Sequence, residues 1–217
     1  MPDDAPHRVT DKIVLAAGKD HANRVKTAIV CPPTIYGVGR GVGNQRSIQI
    51  PDLIKAALHK GHGVKVGAGK TLWSNVHVHD LSDLYLKLVE NAAQGESLAE
   101  WPGKPQIWGP EAYFFAENGE HVWGDVSQKI ATEAHKQKML KSDEVKSMTA
   151  DEANEARDHG SVLWGCNSRS RASRARDALR WKPAGPTIED EMKGAVEIEG
   201  RNTGLNPGHA AVAAGDA

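Results

Sequence analysis

Two cysteines, Cys31 and Cys166, stand in 217 residues. They are too few for a zinc cluster of their own and lie in dissimilar contexts, so the expectation is a pair of free thiols in a reducing compartment rather than a disulfide. No apolar run reaches the roughly 20 residues that span a bilayer. The start MPDDAPHR lacks the apolar centre of a secretory signal. A cytoplasmic protein with no membrane partner is therefore expected. Neither sign of charge dominates, since 27 Lys+Arg face 28 Asp+Glu. That balance excludes a whole-molecule pull toward nucleic acid and directs attention to a small-molecule substrate. Aromatics are scarce at 5%, yet six of the eleven are tryptophans, which implies large anchors spread over a modest core.

What is present reads as alternating strands and helices. Val9, Ile13, Ala16 and Ala17 fall at helical spacing before Gly18, predicting a helix over 8–17. The uniform apolar run at 28–31 suits a strand buried on both faces of a parallel sheet, ended by Pro32 and Pro33. Ile50, Leu53, Ile54, Ala57 and Leu58 predict a helix entered near Pro51 and stopped by Gly61. GVKVGAG at 63–69 gives a strand and turn, and WSNVHVHD at 73–80 an extended segment. Asp80 is expected to cap a helix whose apolar stripe is Leu81, Leu84, Tyr85, Leu88, Val89 and Ala92. PQIWG at 105–109 reads as another strand, and Trp123, Val126, Ile130 and Ala134 as a helix. The charged stretch 136–158 reads as solvent-facing. Helices are predicted over 170–179 and 187–196, the second opened by Thr187 with Asp190 three residues on. Residues 199–217 lack the apolar content to order themselves, so 1–198 is taken as the folded portion and the rest as a disordered tail.

The run IVCPPTIYGVGRGVG at 29–43 has the strand, glycine turn and following helix in which a dinucleotide's pyrophosphate is bound. Its spacing is wrong. Gly37, Gly39, Gly41 and Gly43 alternate strictly, so G-x-G-x-x-G is never satisfied, and the region about 20 residues on reads ALHKGH with no acid for a ribose. The run reads as a flexible loop. His77, His79 and Asp80 share an extended segment, but no cysteine or further acid completes a metal shell, so no metal is expected. His121 and His135, single residues on predicted helices, carry no site. Glu189, Asp190 and Glu191 fit the first turn of a helix, where negative charge offsets the dipole; as paired catalytic carboxylates they lack a pocket and a partner nucleophile. No Gly-x-Ser-x-Gly occurs to support a hydrolase.

CPPTIYG at 31–37, NVHVHDLSDLYLKLVENA at 75–92 and SRASRARDALRWKP at 170–183 together resemble, in order and spacing, three landmarks of the NAD-dependent epimerase/dehydratase family. These are the extended short-chain dehydrogenases, and the resemblance is to their C-terminal half, over roughly residues 8–198. It implies an α/β chain: a partial Rossmann-like fold holding the last strands of a parallel sheet plus a mostly helical C-terminal substrate lobe. It further implies NAD or NADP as cofactor, with Pro33, Thr34, Ile35 and Tyr36 lining the nicotinamide pocket and the glycine run as a substrate-side loop. Arg46, Ser47 and Trp73 would shape the substrate pocket. Where the family's sugar-nucleotide enzymes often carry an arginine four residues before the histidine of V-H-V-x-D, this chain has Trp73, a flat apolar ring in place of a charged fork. Such a ring stacks on an aromatic or aliphatic substrate or, the commoner case, packs under a loop.

Two departures bear on chemistry. The family's glycine-rich phosphate loop has no counterpart, and near the place of the catalytic Tyr-x-x-x-Lys stand Asp3 and His7. In that pair the tyrosine transfers the proton that accompanies hydride movement and the lysine lowers its pKa. No tyrosine here has a lysine four later; Tyr36 has Arg40, which does not serve as lysine does. No catalytic residue is therefore assigned. The expectation is an oxidoreductase-like portion inactive alone, paired with a missing N-terminal half or with its own copy, or else a non-catalytic binding or regulatory module. Arg169, Arg171, Arg174 and Arg176 are expected to spread around a solvated helix.

Overall fold

The computed structural model describes residues 3–5, 7–94 and 106–205. Most of the predicted tail, 206–217, and Pro105 lie outside the described residues. The chain gathers into two compact units.

The first unit takes residues up to 33, 79–118 and 170–184. Helix α1 (Arg8–Asp20) runs three residues past the predicted stop, because Gly18 is accommodated inside it. Strand β1 (Ile29–Cys31) pairs in parallel with β5 (Tyr113–Phe115), Val30 opposite Phe114. The parallel pairing was expected, but full burial was not met: all three β1 residues are half-buried, and among the described residues β5 is its one neighbour. Residues 106–109 bend instead of forming the expected strand. The Gly109 N–H donates to the Thr27 carbonyl at 2.8 Å, and the φ of Gly109, 113°, is open to glycine and few others.

Helix α3 (Val78–Gln94) starts at the boundary between the units and continues in this one. It begins two residues before Asp80, which is thus a first-turn residue and not the cap. Its carboxylate accepts the Ala184 N–H at 2.9 Å, and its carbonyl accepts the Trp181 indole N–H at 3.0 Å. The acid of V-H-V-x-D is thereby tied to the LRWKP segment that follows α7 (Ser173–Leu179). Cys31 and Cys166 are free thiols, and burial, aided by Asp11, raises the pKa of Cys31.

The second unit takes 34–78, 119–169 and residues from 185 on. Pro32 and Pro33 do not end the extended chain. Lacking N–H donors they interrupt its ladder, and the backbone resumes as β2 (Thr34–Tyr36) with a new partner. Strand β4 (Leu72–His77) lies between β2, parallel to it, and β6 (Glu120–Val122), antiparallel. A second small sheet pairs β3 (Gly63–Val66) in parallel with β7 (Val145–Met148). His121 therefore lies on β6 and not on a helix.

Helix α2 (Gln49–Lys60) ends on Gly61, whose φ of 72° makes the left-handed stop. Its Leu53 and Ile54 meet Trp123, Ile130 and Ala131 of α4 (Trp123–Lys136) in the core. The stretch 136–158 is less solvated than predicted: it contains β7 and α5 (Ala150–Ala156), and Leu140, Met148 and Ala153 are buried. A short helix, α6 (Gly160–Gly165), adds the buried Trp164.

Helix α8 (Ile188–Asn202) opens on a capping box in which Thr187 and Asp190 satisfy each other's N–H groups. It continues six residues beyond its predicted end and absorbs the start of the expected tail. Among the described residues no helix is long and apolar enough to cross a membrane.

Candidate functional site

A cavity of about 210 Å³ opens within the second unit, walled by the end of β2, the loop that follows it, the first turn of α2 and one face of α8. Tyr36 closes its inner end. The ring is buried, stands edge-on to His77 with centroids 5.4 Å apart, and donates its hydroxyl proton to the Pro186 carbonyl at 2.7 Å. That proton is committed to a backbone acceptor, unlike the exchangeable proton of a general acid. Gly37 follows with φ 85°, and a Cβ placed there would run into the His77 imidazole.

Beyond it the glycine loop bonds to itself. The Gly39 N–H donates to the Gln45 carbonyl at 2.9 Å, and the Gln45 side chain returns to the Gly41 carbonyl at 2.9 Å. A Cβ on Gly41 or Gly43 would meet nothing within 4 Å.

Arg46 is the cation of this wall. Its Nε and Nη2 donate to the two oxygens of Glu199 at 2.8 and 3.1 Å, and Nη2 also donates to Asp52 at 2.8 Å. Glu199 is only 3% exposed. Arg157 meets the other oxygen of Asp52 at 2.8 Å. The Glu199 carboxylate above all, with Asp52, holds the guanidinium charged more firmly than usual. Glu191 faces the cavity about two turns before Glu199 on α8, 3.7 Å from His77 Nε2.

The sequence-predicted residues divide accordingly. Tyr36, Arg46 and Ser47 line one cavity. Thr34 is buried on β2 with a hydroxyl that has no hydrogen-bond partner among the described residues, Ile35 lies beside it, and Pro33 closes a segment of the first unit. Trp73 does not join Arg46 and Ser47. Its indole N–H donates to the Cys166 carbonyl at 2.6 Å and its ring stands edge-on to Trp123, so it packs beneath a loop.

Arg169, Arg171 and Arg176 are exposed, as expected of a solvated stretch, but three of the late arginines are tied to neighbours. Arg169 forks onto Glu120 at 2.8 Å on both oxygens, Arg176 bonds Glu117, and Arg174 reaches the Gln106 carbonyl. Among the described residues no cluster of three metal-ligating side chains occurs.

Sequence reasoning missed Glu199, Asp52 and Glu191 as parts of a site, and a pocket does lie beside Glu191. The signal that would have found the two glutamates is the spacing 188, 191, 192, 195, 199, one face of a longer helix.

The chemistry of this wall is that of an apolar, shape-selecting pocket with a neutralised cation. It does not fit a dinucleotide's diphosphate, which needs backbone N–H groups facing outward at a helix start and an uncommitted positive charge. Here the loop donors turn inward and Arg46 is held by two carboxylates.

Residues 5–101 match the model of the NAD dependent epimerase/dehydratase family. An oxidase of an Acremonium species, ucsJ, is 37% identical over 206 residues, covering 95% of this chain and 59% of that protein. Among solved structures, dTDP-glucose 4,6-dehydratase of Bacillus anthracis in complex with NAD superposes with a TM-score of 0.58 at 15% identity, covering 93% of this chain and 54% of the other. The dTDP-glucose 4,6-dehydratase DesIV of Streptomyces venezuelae, with NAD and TYD bound, gives 0.59 at 12% identity, covering 89% and 50%. The chain thus spans little more than half the length of the relatives it matches. The shared fold is a mixed α/β, Rossmann-type one. The chain thus resembles the NAD-dependent epimerase/dehydratase family in sequence over residues 5–101 and shares the Rossmann-type fold of the solved dehydratases over most of its own length.

Proposed function

We propose that this chain is the nicotinamide-side and substrate-side portion of an NAD(P)-dependent epimerase/dehydratase-like oxidoreductase, working on a small molecule in the cytoplasm. The phosphate-binding portion then comes from a segment outside the described residues or from another chain, and the described portion is inactive without it. Thr34, Ile35 and Tyr36, with Pro33 before them, face the nicotinamide end, and the cavity at Arg46 and Ser47 receives substrate.

The observation that carries this reading is the state of β1. A strand of a parallel sheet ordinarily has both faces covered and a neighbour on each side. Here β1 has one neighbour among the described residues and stays half-buried, and Val9 and Ile13 of α1 are 74% and 67% exposed. Such surfaces call for further strands, which supports a missing N-terminal half or a second copy as partner. A non-catalytic binding module is the second reading, favoured by the Tyr36 hydroxyl being held on the Pro186 carbonyl.

Titrating NADH and NADPH against the isolated chain by nicotinamide fluorescence tests the proposal. Saturation should not be reached below about 1 mM, a binding free energy of about 4 kcal/mol. A dissociation constant under about 10 μM for either cofactor would show that the phosphate site is present after all. Turnover by the isolated chain would equally defeat it.

A further inference from the structure

The geometry points to an occupant of a particular class in the Tyr36–Arg46–Glu199 cavity: a small apolar molecule bearing a protonated amine, and not the diphosphate-linked sugar of the two solved dehydratases. This rests on the reading of that cavity as the substrate site. Its capacity comes first. About 210 Å³ falls below the roughly 300 Å³ at which pockets for drug-sized ligands begin, so the part of the ligand enclosed is small. Its walls come second. Ile50, Ile188, Met192, Ala195 and Ile198 give an apolar lining that rewards displacement of water by hydrocarbon.

Charge decides the rest. Of the lining side chains, Arg46 is the cation, and Glu191 and Glu199 are the anions. Arg46 is engaged by Glu199 and Asp52 together. Both oxygens of Glu199 already accept from that fork, and Oε1 from Asn202 as well, which leaves the partly exposed Glu191 as the carboxylate available to a ligand, with His77 Nε2 3.7 Å away. A diphosphate placed here would bring two negative charges against two carboxylates and find its one possible counter-charge already held. An ammonium group would meet Glu191 while its hydrocarbon lies against Met192 and Ile198.

Equilibrium binding to the full chain, read by saturation-transfer NMR, tests this with 3-phenylpropylamine, 3-phenylpropanoate and UDP-glucose. The amine should saturate in the low millimolar range, with the carboxylate and the nucleotide sugar weaker by at least about threefold. Glu191→Gln should lower the amine's affinity about two- to fivefold and erase its advantage over the carboxylate, the scale of one partly exposed charge contact. Ile198→Trp, at a half-open position that tolerates bulk, should block the amine.

UDP-glucose or the carboxylate binding as tightly as the amine overturns the inference while leaving the cavity as the site, provided Ile198→Trp still blocks. Amine binding indifferent to Ile198→Trp overturns the cavity reading itself. No saturation by the amine up to about 20 mM overturns the inference outright. The NADH titration above is unaffected by any of these results, so the two proposals fail separately.

Discussion

Replacing Arg46 separates a structural fork from an anion receptor. In Arg46→Met the aliphatic stem is kept and the guanidinium lost, so among the described residues the almost wholly buried Glu199 carboxylate keeps only the Asn202 Nδ2 at 3.3 Å as a direct side-chain partner. Removing one member of a buried pair ordinarily costs about 3–5 kcal/mol, because the remaining charge is left in a poor solvent. Two features lower that figure here: the Arg46 side chain is 35% exposed, so part of the pair's attraction is screened, and Asp52 retains Arg157 at 2.8 Å. A loss of about 2–3 kcal/mol is expected. Urea unfolding at pH 7, followed by tryptophan fluorescence, measures it. Adding Glu199→Gln should recover at least about 1.5 kcal/mol, since that variant removes the stranded charge. If Arg46→Met shifts stability by less than about 0.5 kcal/mol, the guanidinium is not holding the wall, and the case against an anionic ligand fails with it.

Two further perturbations test the second unit. Burial lowers the pKa of His121 to about 4, Glu189 opposing weakly, and the Asn75 amide meets its Nδ1 at 3.1 Å while Nε2 has no partner. Because the folded value lies below the unfolded value near 6.5, the unfolded chain takes up the proton first, so the stabilisation is complete above pH 6.5 and is lost as pH falls toward 4. Between pH 7 and 5 this group should account for about 2 kcal/mol of lost stability, read as the difference in pH slope between the parent and His121→Leu; equal slopes would contradict it. Gly37→Ala should cost about 2–4 kcal/mol in thermal or denaturant unfolding, from a φ of 85° and the blocked approach of His77, whereas Gly41→Ala should stay within about 0.5 kcal/mol because its Cβ meets nothing. Equal losses at the two positions would mean that the loop makes contacts the structure does not contain.

Elements whose signals are local were legible in the sequence. The stripe Ile50, Leu53, Ile54, Ala57 with its Gly61 stop, and the Thr187–Asp190 pair, act within one or two turns, and α2 and α8 begin where those residues direct. Signals that depend on partners were not. Asp80 looked like a cap because acids cap helices, but its carboxylate is taken by Ala184, more than a hundred residues away. Pro32 and Pro33 looked like a terminus because they lack N–H groups, yet a strand can resume when its next partner differs from its last. The same distinction governs the site. Tyr36, Arg46 and Ser47, named through resemblance, line one cavity, while the carboxylate that sets the character of Arg46 lay 153 positions on, where the expected tail of low apolar content begins. Trp73 was open to two readings for a related reason: an aromatic ring has no sequence mark that tells stacking on a ligand from packing under a loop, and its bond to the Cys166 carbonyl belongs to the second.

The most consequential element is α8, because one helix supplies both the core and the site. Val196 is buried in the core, Ile188 and Met192 are buried where the core meets the cavity, and Glu191, Ala195, Ile198 and Glu199 continue the strip that faces the cavity. Consecutive residues on a helix are turned by about 100°, so the two strips cannot be adjusted independently. Sliding α8 by one position to ease the core would carry Glu199 away from Arg46 and Glu191 away from the cavity. The Thr187–Asp190 box is what pins that register at its start, by satisfying N–H groups that only one starting residue leaves open. The polarity of the cavity is therefore a property of where this helix begins, set at an exposed pair of residues outside the cavity lining.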